Sequence, residues 1–251
     1  MERTVETQKK RSMALEIWRR LRKNKMAMLG LVILVMLALT AIFADVIADY
    51  DTKVIAQDIK NRLQGPSMEH WCGTDEFGRD IFARLVHGSR VSLVVGLISV
   101  SISLLMGGAL GAIAGYYGGR VDNVIMRIMD IFLAVPSILL AMTIVAALGT
   151  SLINVMLAIG VSGIPGYARI VRASVMSIKD QEFVEASRAI GAKSPTTIFR
   201  EILPNCLAPI IVQATLSVAG AILSTASLSF IGLGVQPPSP EWGAMLSGGR
   251  N

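Results

Sequence analysis

The chain has 251 residues, of which 53% are hydrophobic and 17% charged, and its formal net charge is +6. A soluble domain of this length has too little interior to hide so much apolar surface, and about 25% charged is usual for one. The mean hydropathy of +0.58 and apolar blocks long enough to cross a bilayer, at ~20 residues per span, point to an all-α polytopic membrane protein.

Residues 1–25 form a basic leader. Nine bases (Arg3, Lys9, Lys10, Arg11, Arg19, Arg20, Arg22, Lys23, Lys25) stand against three acids. Leu15, Trp18 and Leu21 recur there at helical spacing, which predicts a short interfacial helix on anionic headgroups; a solvated basic tail is the alternative. The block from Ala27 to Ala44 is free of charge and longer than the h-region of a cleavable signal, so residues 26–48 read as a retained first transmembrane helix. A polar extracytoplasmic loop over 49–90 follows, and residues 91–251 form the core domain. Within the core, a second span runs from Val91 to Tyr117. A third runs from Val124 to Leu148 with a kink at Pro136, and a fourth from Leu152 to Tyr167. A polar cytoplasmic stretch over 168–205 leads to a fifth span, Leu207 to Leu233, making about five in all.

The bases are distributed as the positive-inside rule expects for a cytoplasmic amino terminus. The inner segments hold nine, then Arg120 and Arg127, then six from Arg169 to Arg200, whereas the outside loop has six bases, offset by eight acids counted from Asp45 to Asp80. This asymmetry accounts for the pI of about 9.6 with membrane lipid as partner and no nucleic acid. Cys72 and Cys206 fall on opposite sides of the membrane and cannot pair.

In the second span Ser99, Ser103, Gly107, Gly111, Gly115 and Gly119 fall four apart, aligning small residues on one ridge. Ser217, Ala221, Thr225 and Ser229 do the same in the fifth. Such faces admit close backbone packing, either within the chain or along a subunit interface or translocation path. Arg127 and Asp130 are the two charges inside a span; three residues apart, they predict a structural ion pair near the inner interface, or else a gating element. Gly160-Val161-Ser162-Gly163 resembles the nucleophile motif of intramembrane serine proteases. The two histidines, His70 and His87, both fall in the outside loop, leaving that serine without a base. There is no G-x-x-x-x-G-K-[ST] phosphate loop and no metal-ligand spacing. The chain reads as a non-enzyme without cofactor or metal.

The most distinctive segment is the cytoplasmic loop at 177–205. It reads as a helix from Asp180 to Ile190, a break at Gly191, and a second helix opening at Ser194-Pro195 and ended by Pro204. Phe183, Ser187 and Ile190 share one face; Ile198, Ile202 and Leu203 form another. Two amphipathic helices hinged under the membrane suit docking into a partner's groove.

Glu185-Ala186-Ser187-x-x-x-Gly191 followed by Ile202-Leu203-Pro204 resembles the E-A-A loop of binding-protein-dependent ABC importer permeases. Ser187 stands for the usual second alanine, and Glu201 for a histidine common before Ile-Leu-Pro. His70 to Asp75 with Phe77-Gly78-Arg79-Asp80 is similar to the outside-loop signature of the dipeptide, oligopeptide and nickel subfamily. Ser229 to Val235 and Pro240-Glu241-Trp242-Gly243 are similar to its late signature. The resemblance covers residues 24–251 and fits the C-type subunit of a heterodimeric pair with the MetI-like fold.

The resemblance implies several partners. These are a second homologous permease subunit, an extracytoplasmic substrate-binding protein, and two cytoplasmic ABC ATPases that bind ATP and Mg in place of this chain. It implies that residues 185–191 and 202–204 couple to the ATPases. Gly73, Thr74, Asp75, Gly78, Arg79 and Asp80 would contact the binding protein or partner permease, or form a loop folded by its own turns and ion pairs. The implied cargo is di- or oligopeptide, with nickel or a metal chelate as the rival and an ATP-independent channel or carrier as the rival from another class. The implied location is a prokaryotic plasma (inner) membrane. The family has a sixth helix beyond Pro-Glu-Trp-Gly; the resemblance therefore implies a fragment or a departure from the last element of that fold.

Overall fold

The computed structural model describes residues 13–249, with side chains from residue 18 onward; the first bases of the leader, Arg3 to Arg11, and the side chain of Leu15 lie outside the described residues. Helix α1 (Met13–Lys23) passes at Asn24 into α2 (Lys25–Ile42). The Asn24 side chain accepts from the amides of Met26 and Ala27, satisfying two donors that begin the helix. Ala41 is the one buried residue of α2, so most of its apolar surface faces outward, as lipid contact requires. Short α3 (Ala44–Ile47), a wide turn Tyr50–Ile55 and a 3-10 turn Ile59–Asn61 follow.

The central element is α4 (Ile81–Tyr117), 37 residues and therefore ~55 Å long. It starts ten residues earlier than hydropathy indicates. Asp80 caps it, accepting from the amide of Ala83 at 2.8 Å. The polar residues of its first turns are tied to the chain that precedes them. Arg84 donates to the carbonyl of Val54 and Arg90 to those of Ala41 and Ile42, and His87 Nε2 lies 2.8 Å from the oxygen of Ala48. Arg90 also pairs with Asp45 at 3.0 Å. Cationic side chains on the last carbonyls of α2 satisfy acceptors the helix cannot pair and complement its dipole. The polar face is thus internal wiring, and the segment read as loop up to Arg90 ends in helix at Ile81.

Helix α5 (Gly119–Leu133) and α6 (Ser137–Leu148) meet at an 82° bend. Pro136, expected to kink one helix, separates two. It has no amide to donate and disfavours helical backbone at Val135. Helix α7 (Leu152–Ile178) continues eleven residues beyond the expected span, with Pro165 inside it. Its extension is held by charge. Arg172 makes a bidentate pair with Asp122 of α5, and Arg169 pairs with Asp130 at 2.7 Å. The expected partner of Asp130 was Arg127; the acid instead turns across to α7, because α5 runs alongside it.

Beyond α7 come α8 (Glu182–Ala189), α9 (Ser194–Thr196), a wide turn Thr197–Ile202, α10 (Leu203–Phe230) and α11 (Trp242–Gly248). Pro204 does not end a helix, contrary to expectation. It sits in the first turn of α10, where its missing amide is tolerated after the wide turn. Among the described residues four helical stretches are long and apolar enough to cross a membrane, and the bent α5–α6 pair is the candidate fifth. Among the described residues the one β feature is an isolated bridge between Thr74 and Asp80.

The four-apart ridge of α4 packs on α7. A Cβ on Gly107, Gly111 or Gly115 would meet the α7 backbone at Ile164, Ala168 and Arg172 respectively. Ser99 and Ser103 donate to the carbonyls of Met156 and Gly160 at 3.1 and 2.6 Å. Small residues and interhelical hydrogen bonds hold this pair together where lipid supplies no hydrophobic drive. Gly119 faces open space and opens α5 instead. Gly160 and Gly163 pack against Ile102 and Ser103, while Ser162 bonds its own helix at Ala158. The protease-like string is therefore part of the same seam.

Candidate coupling loop, outer loop and central cavity

The signature at 185–204 and the signature at 70–80 stand at opposite ends of α4. At its carboxyl end, Arg188 of α8 lies over the Tyr116 ring, 5.0 Å from guanidinium carbon to centroid. At its amino end the Trp242 indole donates to the carbonyl of Leu85 at 3.1 Å.

Helix α8 is ended by a paired hydrogen-bond motif. The amide of Gly191 bonds the carbonyl of Arg188 and that of Ala192 bonds Ser187, with Gly191 at φ +84. This left-handed position is where glycine is favoured, so Gly191 sets the angle between α8 and α9. Val184 is wholly buried and joins Ala112, Val171, Val175, Ile198, Ile202, Cys206 and Ile210 in one cluster. That cluster ties the short helix to α4, α7 and α10 together. Glu185 and Ala186 are exposed, Ser187 is half-buried, Ile202 is buried, and Leu203 and Pro204 are half-buried and exposed. Phe183, Ile190 and Phe199 stay outward, at 38%, 86% and 69% exposure. The face expected from Phe183, Ser187 and Ile190 is thus the outer one, and the inward anchor is Val184, which the spacing argument missed. A single valine between Phe183 and Glu185 in so short a helix gives a weak signal.

The loop before α4 consumes its own signature. Asp75 accepts from the amides of Phe77 and Arg79 and from Arg79 Nε at 2.7 Å; Arg84 Nε lies 3.6 Å away. Thr74 donates to the carbonyl of Asn61 and accepts from the amide of Gln64. Asp80 receives His70 at 2.9 Å as well as the α4 amide. Gly73 and Gly78 adopt φ +77 and +75, and a Cβ on either would overlap the backbone of Gln64 or Asp58. Earlier in the loop, the Thr52 amide and hydroxyl hold the Asp49 carboxyl below its ordinary value.

The late signature closes on the same end. The amide of Leu233 bonds the carbonyl of Leu228, and that of Gly232 bonds Ser229, with Gly232 at φ +82 ending α10. Glu241 is fully buried and caps α11 through the amides of Gly243 and Ala244, both at 2.9 Å. Gly243 lies against the backbone of Ala226, and Gly88 against the Trp242 ring. A buried carboxylate satisfied by two helix amides is a positioning device, and in the sequence it stood only as one residue of the Pro240-Glu241-Trp242-Gly243 string.

Between the two ends lies a cavity of about 340 Å³ bounded by α4, α6, α7 and α10. Ser217 and Ala221 line it, whereas Thr225 is buried and donates to the carbonyl of Ala221.

Comparison with known proteins is consistent across the chain. Residues 107–249 match the model of the binding-protein-dependent transport system inner membrane component, and residues 12–66 the N-terminal TM domain of oligopeptide transport permease C. The dipeptide transport system permease protein DppC of Alkalihalophilus pseudofirmus is 52% identical over 235 residues, covering 94% of this chain and 77% of the relative. The di/tripeptide permease DppC of Pseudomonas aeruginosa is 47% identical, covering 94% and 79%. The glutathione transport system permease GsiD of Escherichia coli is 45% identical, covering 94% and 77%. Among solved structures, the inward-facing MetNI methionine ABC transporter matches with a TM-score of 0.53 at 22% identity, over 61% of this chain and 76% of that one. The same fold is therefore present. With its family model spanning more than half its length, this chain belongs to the binding-protein-dependent transport system inner membrane components, as a C-type permease subunit of the ABC importer class.

Proposed function

We propose that the chain pairs with a second permease subunit to import di- or oligopeptides, driven by two separate cytoplasmic ATPases and fed by an extracytoplasmic binding protein. Its amino terminus lies in the cytoplasm, and Glu185 to Gly191 with Ile202 to Pro204 couple it to an ATPase. One observation carries this reading: α8 is fastened to three long helices through buried Val184 while Glu185, Ala186 and Phe183 remain outward. A push on that face is transmitted to α4, α7 and α10 together, which is what conversion of ATPase closure into a change of access requires. The peptide cargo is supported by the dipeptide, di/tripeptide and glutathione relatives; nickel has no such support. The amino-terminal orientation is supported by the clustering of bases in α1 and in the 169–200 stretch.

The test is affinity purification of the tagged chain from its native membrane, with identification of what accompanies it and peptide uptake by the same cells. A second permease and ATPases should co-purify, and deleting an ATPase gene should abolish uptake. Intact chain recovered alone, or uptake that persists without the ATPases, overturns the reading in favour of a channel or carrier.

A further inference from the structure

The cavity lies at mid-depth, since Ser99 and Ser103 in its wall are near the centre of the 37-residue α4. Its lining contains no charged residue. Part of its polarity is already spent, because Ser99, Ser103 and Ser162 donate to helix carbonyls. The remainder is not. Tyr167 is 4% exposed and lines the cavity; its hydroxyl makes no hydrogen bond of full geometry and has the Ser217 side chain beside it. Ser217 accepts from Gln213 Nε2 at 3.1 Å and lies beside the Tyr167 hydroxyl, and Ser224 adds a further hydroxyl to the lining. A buried polar group left unpaired is costly, and native structures keep one where a ligand or water completes it. The volume falls in the range of small-molecule sites.

Two glycines in the wall differ from those of the α4–α7 seam. A Cβ on Gly166 or Gly220 would meet nothing within 4 Å. They keep the space open rather than letting helices touch.

We propose that Tyr167, Gln213, Ser217 and Ser224 form a charge-free contact site in the translocation path that takes the backbone amides and carbonyls of a short peptide. Neutral donors and acceptors grip what all peptides share. With no fixed charge in the wall, acidic, neutral and basic side chains pass on similar terms. This inference rests on the peptide-import reading.

The complete importer in proteoliposomes tests it, with labelled Ala-Ala, Glu-Glu and Lys-Lys as probes. Gly220→Leu fills the cavity without touching the helix seam, so uptake of all three should fall at least about tenfold while assembly persists; Gly220→Ala is the mild control. Tyr167→Phe removes a buried oxygen that makes no hydrogen bond of full geometry in the fold and should lower uptake roughly fivefold, the equivalent of one hydrogen bond. Ser224→Asp should slow Glu-Glu about tenfold relative to Lys-Lys. Normal uptake in Gly220→Leu and Tyr167→Phe overturns the site, as does equal treatment of the charged peptides by Ser224→Asp. Loss of the second permease from Gly220→Leu shows instead that a partner side chain fills the cavity. If the wild-type importer moves no peptide, the function itself is wrong, a result distinguishable from failure of the site alone.

Discussion

The 49–80 loop and the 179–202 loop both carry distinctive sequence, but they use it in opposite ways. Around Gly73 to Asp80, nearly every signature side chain is engaged in holding the loop's own shape: Asp75 on Arg79, Thr74 on Asn61 and Gln64, Asp80 on His70 and the α4 amide. Around Glu185 to Gly191, the motif's polar and apolar residues face outward, and the holding is done by Val184, outside the motif. A recognisable string of residues can therefore mark a surface kept for a partner or a shape that must be kept. Only the contacts tell which.

The difference is open to attack. Gly78→Val should have the largest effect on stability. It forces a β-branched residue to positive φ and drives a Cβ into the Asp58 backbone. The cost is about 3 kcal/mol or more, read as lost detergent-stable protein by size-exclusion chromatography. Asp75→Ala should follow, because it leaves the Arg79 guanidinium, 7% exposed, without its carboxylate; about 3 kcal/mol is expected. Val184→Ala should destabilise by about 1–2 kcal/mol through the methyl groups lost from the inner cluster. It should also loosen α8, measurable as faster amide exchange across 182–189. Glu185→Arg should change stability by no more than about 0.5 kcal/mol, since the side chain is exposed and makes no ion pair among the described residues.

The smallest effect concerns Asp49. Its carboxyl is held down by Thr52, so its contribution is present above the ordinary carboxylate value of 3.8 and is lost as pH falls through the depressed one. Asp49→Asn should flatten the acid side of the thermal-stability profile.

Much of the fold was legible because lipid imposes long apolar blocks, and the α4 ridge because glycine and serine four apart have few other uses. Helix ends were not legible, and each miss has a physical cause. Helix α4 begins at Ile81 because Arg84, His87 and Arg90 are held by hydrogen bonds to carbonyls of the earlier chain, a pairing no hydropathy window can register. Helix α7 runs on to Ile178 because Asp122 and Asp130 answer its arginines from 50 and 39 residues away. Pro204 sits inside a helical run because the wide turn before it has already broken the hydrogen-bond register. At the site, Glu185 and Gly191 could be found from their motif. Val184 and Tyr167 could not, since burial and incomplete hydrogen bonding exist only in three dimensions.

The most direct measurement compares Glu185→Arg with Asp75→Ala in one purification, recording thermal stability and ATPase recovery for each. Glu185→Arg should keep wild-type stability and lose the ATPases, whereas Asp75→Ala should lose stability, with the surviving folded fraction retaining them. Glu185→Arg protein that unfolds, or that keeps its ATPases with full uptake, would contradict the claim that α8 is an outward coupling face.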